Sequence, residues 1–402
     1  MKYIVLIGDG MSDLPLKELK GRTPLEAAKT PNMDRLAQMG ACGMVSNVPA
    51  GMAPGSDIAN MSIFGYDPKK YYSGRGPLEA VSLGIKLKKG EFAFRCNLVT
   101  IRVNVMEDFT AGHISTAEAK KLIKMLDKTI GSKNVRFYPG LSYRHIAVFS
   151  GIKDDLSRVE CTPPHDITGK QIERYLPSGK GSEKINYLMS ESTMYLLEDP
   201  VNIARMDKKQ RPANMIWLWG QGKTPSMPSF KKIYNKKAAV ITAVHLLKGM
   251  AATAGMTSID VPGATGFLDT NYEAKASYAL KALKKHDIVF VHVEAPDECG
   301  HMGDTGLKVR AIEDFDRKIV GKIFRELEAS GEEFKMLVLP DHPTPIKVMS
   351  HTADPVPFVI FCSDGSGRGK YSQPAYSEKN IKKSGFSIKD GHQLIGKRLF
   401  CT

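Results

Sequence analysis

The sequence predicts an α/β protein with a mostly parallel sheet sandwiched by helices. Four segments are continuously apolar, which is typical of parallel strands buried on both faces. Between the second and the third, apolar residues recur at three- and four-residue steps from Val309 to Leu327, and Gly331 follows as a helix stop. A strand, a helix and a second strand at this spacing indicate a βαβ crossover. The four predicted strands are Tyr3–Ile7, Ile288–Val293, Met336–Leu339 and Pro357–Phe361.

The middle of the chain follows a different pattern and predicts a smaller inserted α+β domain. The stretch CNLVTIRVNVMED is typical of an exposed, alternating strand, and YRHIAVFSG of another strand. Between them, Ser115 and Glu118 have the spacing of a capping box at the start of a helix. We therefore expect one discontinuous domain of residues 1–88 and 226–402, and an inserted domain of residues 89–225.

Composition favours a cytoplasmic protein with no membrane and no nucleic-acid partner. No apolar run approaches the ~18 residues that span a bilayer, and the apolar part of the N-terminal segment is too short for a signal peptide. The six cysteines form no Cys-x-x-Cys pair, which argues against a disulfide framework. The net charge of +14 comes from dispersed lysines, which favours a solvated surface over a nucleic-acid site, although nucleic-acid binding stays an alternative.

Acidic residues and histidines follow three of the predicted strands. Ligands of open α/β sheets collect beyond the carboxyl ends of the strands, so we expect these side chains to converge. Carboxylate and imidazole together suit divalent manganese or zinc, whereas magnesium prefers oxygen ligands alone. The candidate ligands are Asp9, Asp297, His301, Asp341, His342 and His351.

Ser56 lies in a loop of small residues, APGSDIANMS, directly before a helical pattern. It could be a helix N-cap, because a serine oxygen accepts the free amide hydrogens of a first turn. It could also be a seventh ligand and a nucleophile. Two neighbouring ions can bind the attacking and leaving oxygens of a displacement at phosphorus, and an ion lowers the pKa of a bound hydroxyl.

Several motifs together resemble the alkaline phosphatase superfamily, and within it the archaeal-type branch of the cofactor-independent phosphoglycerate mutases. They are GDG at Asp9, APGSDIANMSIFGYDP around Ser56, YYSGRGPLEAVSLGI, PDECGH, PDHPTP and SHTADPVP. The resemblance covers nearly the whole chain and is weakest between about 150 and 210. It implies an alkaline-phosphatase-like sheet domain and a phosphoserine intermediate at Ser56. It also implies one ion held by Asp297, His301 and His351, and a second held by Asp9, Asp341, His342 and the Ser56 oxygen.

The resemblance also implies that the inserted domain binds the substrate. Arginines should grip its carboxylate and phosphate, because guanidinium matches both groups bidentately. Arg95 in FAFRCN and Arg144 in SYRHIAV are the best candidates, followed by Arg75 in SGRGP and His165 in PPHD. His113 stands where the archaeal pattern has an arginine, which leaves the substrate open.

The function implied is interconversion of 3-phosphoglycerate and 2-phosphoglycerate, with two divalent ions, most simply manganese, and without 2,3-bisphosphoglycerate. Zinc, cobalt and magnesium stay possible. The partner would be a small phosphorylated hydroxy acid, and the oligomeric state is left open. Three alternatives keep the same residues: a homoserine kinase-like phosphotransferase, a phosphatase, and a metal-binding regulatory protein. No GxxxxGK[ST] phosphate loop is present in the sequence, which disfavours an ordinary ATP site.

Overall fold

The computed structural model describes residues 1–366, 368–369 and 371–401, and they divide into two compact units. Unit 1 comprises residues 1–72 and 227–402, and unit 2 comprises residues 73–226. The first boundary therefore lies earlier than the predicted one after residue 88, because a helix just beyond it belongs to unit 2. The second boundary lies one residue from the predicted position.

The strands of unit 1 are β1 (Lys2–Gly8), β2 (Ala41–Val45), β8 (Ala238–Ile241), β9 (Thr257–Ser258), β10 (Ile288–Val293), β11 (Phe334–Leu339), β12 (Val356–Cys362) and β13 (Ser387–Ile388). Those of unit 2 are β3 (Phe92–Arg102), β4 (Val105–Asp108), β5 (Val135–Leu141), β6 (Arg144–Phe149) and β7 (Met215–Lys223).

The α-helices of unit 1 are α1 (Pro24–Ala27), α2 (Pro31–Met39), α3 (Ser56–Ile63), α4 (Pro68–Tyr71), α9 (Phe230–Tyr234), α10 (His245–Thr253), α11 (Tyr272–Leu283), α12 (Ala295–His301), α13 (Thr305–Asp314), α14 (Gly321–Ser330) and α15 (Glu378–Lys382). Those of unit 2 are α5 (Arg75–Ser82), α6 (Thr116–Thr129), α7 (Ser182–Leu197) and α8 (Pro200–Asp207). Short 3₁₀ or π turns cover Leu156–Arg158, Pro164–Ile167, Glu173–Tyr175, Phe315–Val320, Gly391–Gln393 and Ile395–Leu399.

The sheet of unit 1 has the order β13-β2-β12-β11-β1-β10-β8-β9. The run β11-β1-β10-β8-β9 is parallel, whereas β12 is antiparallel to both of its neighbours. The α/β prediction with a mostly parallel sheet is confirmed, but the parallel direction predicted for Pro357–Phe361 is wrong. Every residue of β12 is buried, and a continuous apolar run reports burial of both faces without reporting strand direction.

Helices cover both faces of this sheet. On one face, Ile4 and Leu6 of β1 belong to the core that α2, α11, α13 and α14 share. On the other face, Phe290 of β10 contacts Phe64 and Phe230, with ring centroids 4.8 and 6.0 Å apart. The predicted helix over Val309–Leu327 is present as α13 and α14, joined by a π turn, and Gly331 ends it with φ +67°. Among the described residues, no helix is long and apolar enough to cross a membrane.

Unit 2 is built on an antiparallel sheet in which β3 pairs with β4, β6 and β7. The predicted helix is present as α6, and both hydrogen bonds of its capping box, between Ser115 and Glu118, are formed. The stretch from Cys96 to Asp108, which the sequence predicts as one exposed strand, instead forms the end of β3 and all of β4. It is buried from Cys96 to Thr100, because β3 lies between β6 and β7, and only β4 alternates between half-buried and buried residues. Helix α5 belongs to this unit: its Ala80 packs in one cluster with Ala93 and Val148.

Candidate active site

Three adjacent parallel strands bring the predicted acids and histidines to one edge of the sheet. Strand β1 runs between β11 and β10, with Ile7 opposite Leu339 and Gly8 opposite Val293. The carboxyl ends of the three strands therefore meet, as sheets of this type require. The side chains that follow these ends are Asp9 after β1, Asp297 and His301 in α12 after β10, and Asp341 and His342 after β11.

His351 reaches the same edge for a different reason. Because β12 is antiparallel to β11, it begins at the edge where β11 ends, and the connecting segment stays there. His351 lies in that segment, with its Nε2 3.0 Å from His301 Nε2 and 3.5 Å from Asp297 Oδ1. The antiparallel direction of β12 is thus what places this histidine beside α12.

Asp297, His301 and His351 form a compact three-residue group. His301 Nε2 lies 3.2 Å from Asp297 Oδ2, and the three residues offer ligand atoms within 4.8 Å of one another. His301 Nδ1 is 3.0 Å from the carbonyl oxygen of Met349. A carbonyl can only accept, so Nδ1 donates to it, and Nε2 is the ring nitrogen that faces Asp297 and His351. This is the arrangement that metal-ligating histidines use.

The second group contains Ser56, Asp9, Asp341 and His342. His342 Nε2 lies 3.1 Å from Ser56 Oγ, 3.6 Å from Asp9 Oδ1 and 3.4 Å from Asp341 Oδ2. The two groups adjoin, because Asp9, Asp297 and His342 also offer ligand atoms within 4.8 Å of one another. All seven residues of the predicted set are therefore brought together at this edge of unit 1.

Ser56 is the first residue of α3 and does not act as its N-cap. The N-cap position belongs to Gly55, and no side-chain cap bond is formed there. Ser56 Oγ instead faces His342, while the Ser56 carbonyl accepts a hydrogen bond from Asn60 Nδ2 at 2.9 Å. Asn60 Nδ2 also donates to Asp341 Oδ2 at 2.8 Å. One side chain thus ties the serine turn to an acidic residue of the candidate metal centre.

The electrostatics of the cluster fit a bound cation. Burial and the nearby carboxylates of Asp341 and Asp297 raise the pKa of Asp9 well above its ordinary value. Burial also acts to raise the pKa of Asp297, but the imidazoles of His301 and His351 hold it well below its usual range. Asp9 Oδ1 is buried with no hydrogen-bond partner among the described residues. A divalent ion would balance the crowded carboxylates and supply this oxygen with a partner.

Sequence reasoning missed His292, which lies inside β10 and is fully buried. Its Nε2 is 3.2 Å from Asp9 Oδ2, and its Nδ1 is 3.3 Å from Glu294 Oε1. Asp9, His292 and Asp341 also form a group with converging ligand atoms. The stretch IVFVHV indicates a functional role for this histidine only weakly, because a single histidine in an apolar strand is usually a core residue.

Two of the predicted substrate-binding arginines, Arg75 and Arg95, lie in unit 2 around Trp219, a residue that sequence reasoning also missed. The guanidinium carbon of Arg144 lies instead 5.5 Å from the Tyr143 ring centroid. The guanidinium carbon of Arg95 lies 4.3 Å from the Trp219 ring centroid, and that of Arg75 lies 5.9 Å from it. The His165 ring is 5.4 Å from the same centroid. Burial, opposed by Glu79 but reinforced by the Arg75 and Arg144 charges, lowers the pKa of Arg95. Cations held this close favour a bound anion.

His113 lies on an exposed turn of unit 2. Its backbone has φ +50°, and its amide donates to Thr110 Oγ1 at 3.0 Å. Asp108 fixes the same turn by accepting from the amides of Thr110 and Gly112 at 2.7 and 2.9 Å. The structure thus brings Arg75, Arg95 and His165 together around Trp219 and places His113 on an exposed turn.

Comparisons with known proteins all identify the same family. A family model described as 2,3-bisphosphoglycerate-independent phosphoglycerate mutase matches residues 37–202. A protein of that name from Methanosarcina acetivorans is 52% identical over 397 residues, covering 98% of this chain and 99% of its own length. A probable mutase of the same name from Geobacter sulfurreducens is 47% identical over 399 residues, covering 98% of both chains.

Solved structures agree in fold along nearly the whole chain. A Pyrococcus horikoshii protein superposes with a TM-score of 0.82 at 32% identity, covering 98% of this chain and 95% of that one. The cofactor-independent phosphoglycerate mutase of Thermoplasma acidophilum gives a TM-score of 0.65 at 28% identity, covering 98% of both. The family predicted from the sequence motifs is confirmed: this chain belongs to the 2,3-bisphosphoglycerate-independent phosphoglycerate mutases.

Proposed function

We propose that this protein interconverts 3-phosphoglycerate and 2-phosphoglycerate through a phosphoserine at Ser56. The observation that carries the proposal is the position of Ser56 Oγ, at the start of α3 and 3.1 Å from His342 Nε2, inside a cluster of ligand-type side chains. The family relationship supports this activity, and the relatives' names do not favour the homoserine alternative.

The chemistry balances without any co-reactant. Ser56 Oγ loses its proton and forms a bond to phosphorus as the bond between phosphorus and the O3 of 3-phosphoglycerate breaks, and O3 takes up a proton. The O2 hydroxyl of the same glycerate then attacks the phosphoserine, O2 loses its proton, and Ser56 regains one. Neither water nor a nucleotide is consumed, so the reaction is an isomerisation.

Two divalent ions, most simply manganese, are part of the proposal. Asp297, His301 and His351 would hold one ion. The ligands of the other would be Asp9, Asp341, His342 and Ser56 Oγ. When bound, such ions lower the pKa of a serine hydroxyl and offset the charge on phosphoryl oxygens. No 2,3-bisphosphoglycerate would be required.

Unit 2 would supply the anion-binding groups. The charges of Arg75 and Arg144 both act on the buried guanidinium of Arg95, and guanidinium groups bind carboxylate and phosphate bidentately. His165 and His113 complete the proposed substrate-binding set. Arg144 is exposed and can be replaced with little effect on packing, which makes it the best first target.

The test uses phosphorus NMR on EDTA-stripped protein given 3-phosphoglycerate, with and without added Mn²⁺. We expect 2-phosphoglycerate to form only with the metal and without free phosphate. Ser56→Ala should abolish turnover while still folding, whereas Ser277→Ala, which changes a half-buried helical serine of unit 1, should retain it. Activity in Ser56→Ala, or release of inorganic phosphate by the wild type, would contradict the proposal.

A second comparison tests the arginine cluster. Arg144→Ala should lower kcat/KM for 3-phosphoglycerate by about 10- to 100-fold, the effect of losing a hydrogen bond between charged groups. Arg102→Ala, at the exposed end of β3, is the matched control and should stay close to wild type. Equal effects of the two substitutions would remove Arg144 from the proposed substrate site.

A further inference from the structure

We propose that Trp219 is a positioning residue that holds the Arg95 guanidinium in place for an anionic group of the substrate. Both side chains are buried, with exposed fractions of 8% for Arg95 and 3% for Trp219. Trp219 belongs to neither the substrate-binding set nor the metal-binding set given above. The inference rests on the proposed function, in which Arg95 binds the substrate, and adds the residue that orients it.

The Arg95 guanidinium lacks a hydrogen bond that would normally help to fix it. A guanidinium carries five N–H donors in one plane. Arg95 Nε is buried and has no hydrogen-bond partner among the described residues. Glu79 Oε2 lies 3.3 Å from Nε, which offsets part of the charge but is not a hydrogen bond. Packing therefore has to supply the restraint that is missing at Nε.

The indole ring of Trp219 supplies that packing. The guanidinium carbon of Arg95 lies over this ring, 4.3 Å from its centroid. Cation–π contacts extend to ~6 Å and are strongest on tryptophan and where water is excluded. Strands β3 and β7 pair with Arg95 directly opposite Trp219, so the two side chains share one face of the sheet. The contact thus follows from the register of the two strands.

Trp219 is itself held on several sides. Its Nε1 donates a hydrogen bond to Oδ1 of the buried Asn97 at 3.1 Å, and the ring belongs to the hydrophobic core of unit 2. Gly220 follows with φ +60°. A Cβ at Gly220 would lie 3.6 Å from Arg95 Cδ and 3.5 Å from Arg75 Cβ. The backbone after Trp219 therefore lies against the stems of both arginines.

A guanidinium that is already held loses less freedom when an anion binds. Immobilising a side chain with many rotamers reduces binding affinity, and preorganisation removes part of that cost. Arg75 also lies near the same ring, 5.9 Å from its centroid. The competing explanation is that Trp219 serves only the core of unit 2. A core residue would affect the stability of the protein without changing its affinity for an anion.

Calorimetric titration with 3-phosphoglycerate separates the two explanations. The protein is loaded with Mn²⁺ and carries Ser56→Ala, so that it binds the substrate without turnover. Adding Trp219→Leu should weaken binding about 5- to 30-fold, the effect of losing a buried cation–π contact. Trp219→Phe keeps an aromatic face and should retain most of the affinity. Trp217→Phe changes a neighbouring buried indole and should bind like its parent.

A double-mutant cycle establishes whether Trp219 acts through Arg95. Residues that act together have non-additive effects, so Trp219→Leu should cost little affinity in a protein that already carries Arg95→Met. Additive losses would overturn the inference. Unchanged affinity in Trp219→Leu, or equal losses in Trp219→Leu and Trp219→Phe, would overturn it as well. Circular dichroism establishes that the variants are folded.

Fluorescence keeps the inference testable even if the leucine variant does not fold. The chain has two tryptophans, so Trp217→Phe leaves Trp219 as the single emitter. We expect its emission to change on addition of inorganic phosphate or 3-phosphoglycerate, and Arg95→Met to remove that change. No response to either anion would overturn the inference. A response to phosphate, together with a wild-type protein that does not convert 3-phosphoglycerate, would overturn the proposed reaction and retain Trp219 at an anion site.

Discussion

Replacing Gly10 with alanine should both destabilise the protein and damage the candidate metal centre. Gly10 follows Asp9 and has φ +59°, a left-handed conformation that costs an alanine roughly 1–2 kcal/mol. A Cβ at this position would lie 2.5 Å from both Asp297 Oδ1 and Thr344 Oγ1, and 2.8 Å from the Asp297 Cα. The GDG motif therefore depends on its second glycine for close approach to a candidate ligand.

The expected loss of stability is the sum of the backbone cost and the cost of the close contacts. Inserting a methyl group into a packed site costs roughly 1–3 kcal/mol, so Gly10→Ala should lower the free energy of unfolding by about 2–5 kcal/mol. Gly331→Ala is the matched control. Gly331 has φ +67° and no atom within 4 Å of an added Cβ, so it should lose only the conformational term of about 1–2 kcal/mol.

Urea unfolding followed by circular dichroism measures both variants. Tryptophan fluorescence is a second signal that reports the unfolding of unit 2, because the two tryptophans, Trp217 and Trp219, lie there. Both glycines lie in unit 1. We also expect Gly10→Ala to bind Mn²⁺ more weakly, since Asp297 must move, and Gly331→Ala to bind it normally. Equal destabilisation of the two variants, with unchanged Mn²⁺ affinity in both, would refute the proposed packing of Gly10 against Asp297.

Three further predictions concern regions outside the candidate site. Asp316→Ala should lower the free energy of unfolding by about 1–3 kcal/mol, measured by urea unfolding, because Asp316 accepts from the first-turn amides of Asn32 and Met33 at 3.2 and 2.7 Å. Burial raises the pKa of Asp108, but hydrogen bonds, led by those from Thr110, outweigh it and lower the pKa below its ordinary value. The contribution of the Asp108 carboxylate to stability should be present above about pH 4, its pKa in the unfolded chain, and be lost as the pH falls through its folded pKa. Asp108→Asn should remove this pH-dependent loss of stability, measured by fluorescence-monitored unfolding. A thiol reagent at pH 8 should label Cys401 first, detected by mass spectrometry, because it is exposed whereas burial raises the pKa of Cys42 to about 12.

The candidate ligands could be predicted from the sequence because each follows a strand that is easy to recognise. Apolar runs identify β1, β10 and β11, and parallel strands deliver their next residues to one edge. The positions of β1 and β11 are enough to place Asp9 and Asp341 at this edge. His351 was predicted from its motif, but its place at this edge depends on β12 being antiparallel. An apolar run reports burial on both faces, so the direction of β12 could not be predicted.

Other features depend on packing that no local pattern contains. Trp219 lies beside Arg95 because β7 pairs with β3 with Arg95 opposite Trp219, and strand pairing between distant segments has no sequence period. The boundary near residue 72 depends on α5, whose Gly76 lies so close to β3 that an added Cβ would be 2.6 Å from the Ala93 carbonyl oxygen. A short amphipathic helix gives no indication of which of two sheets it covers.

The buried lysines show why such residues escape prediction and what they contribute. Lysine is almost never fully buried unless paired, yet Lys275 and Lys308 are both 0% exposed. Lys308 Nζ donates to Asp13 Oδ2 and to the Thr344 carbonyl, each at 2.8 Å, and Thr344 Oγ1 donates to Asp297 Oδ1. Lys275 acts through Glu294 on the other side of the cluster.

Buried ion pairs of this kind add little net stability, because desolvation offsets their attraction. Their role here is better explained by the backbone segments that they hold in place. One lysine fixes the segment after β11, and the other fixes the end of β10, so the two strands on either side of β1 present their acids in defined orientations. The two buried ion pairs therefore hold the segments that carry Asp297 and Asp341 on either side of Asp9.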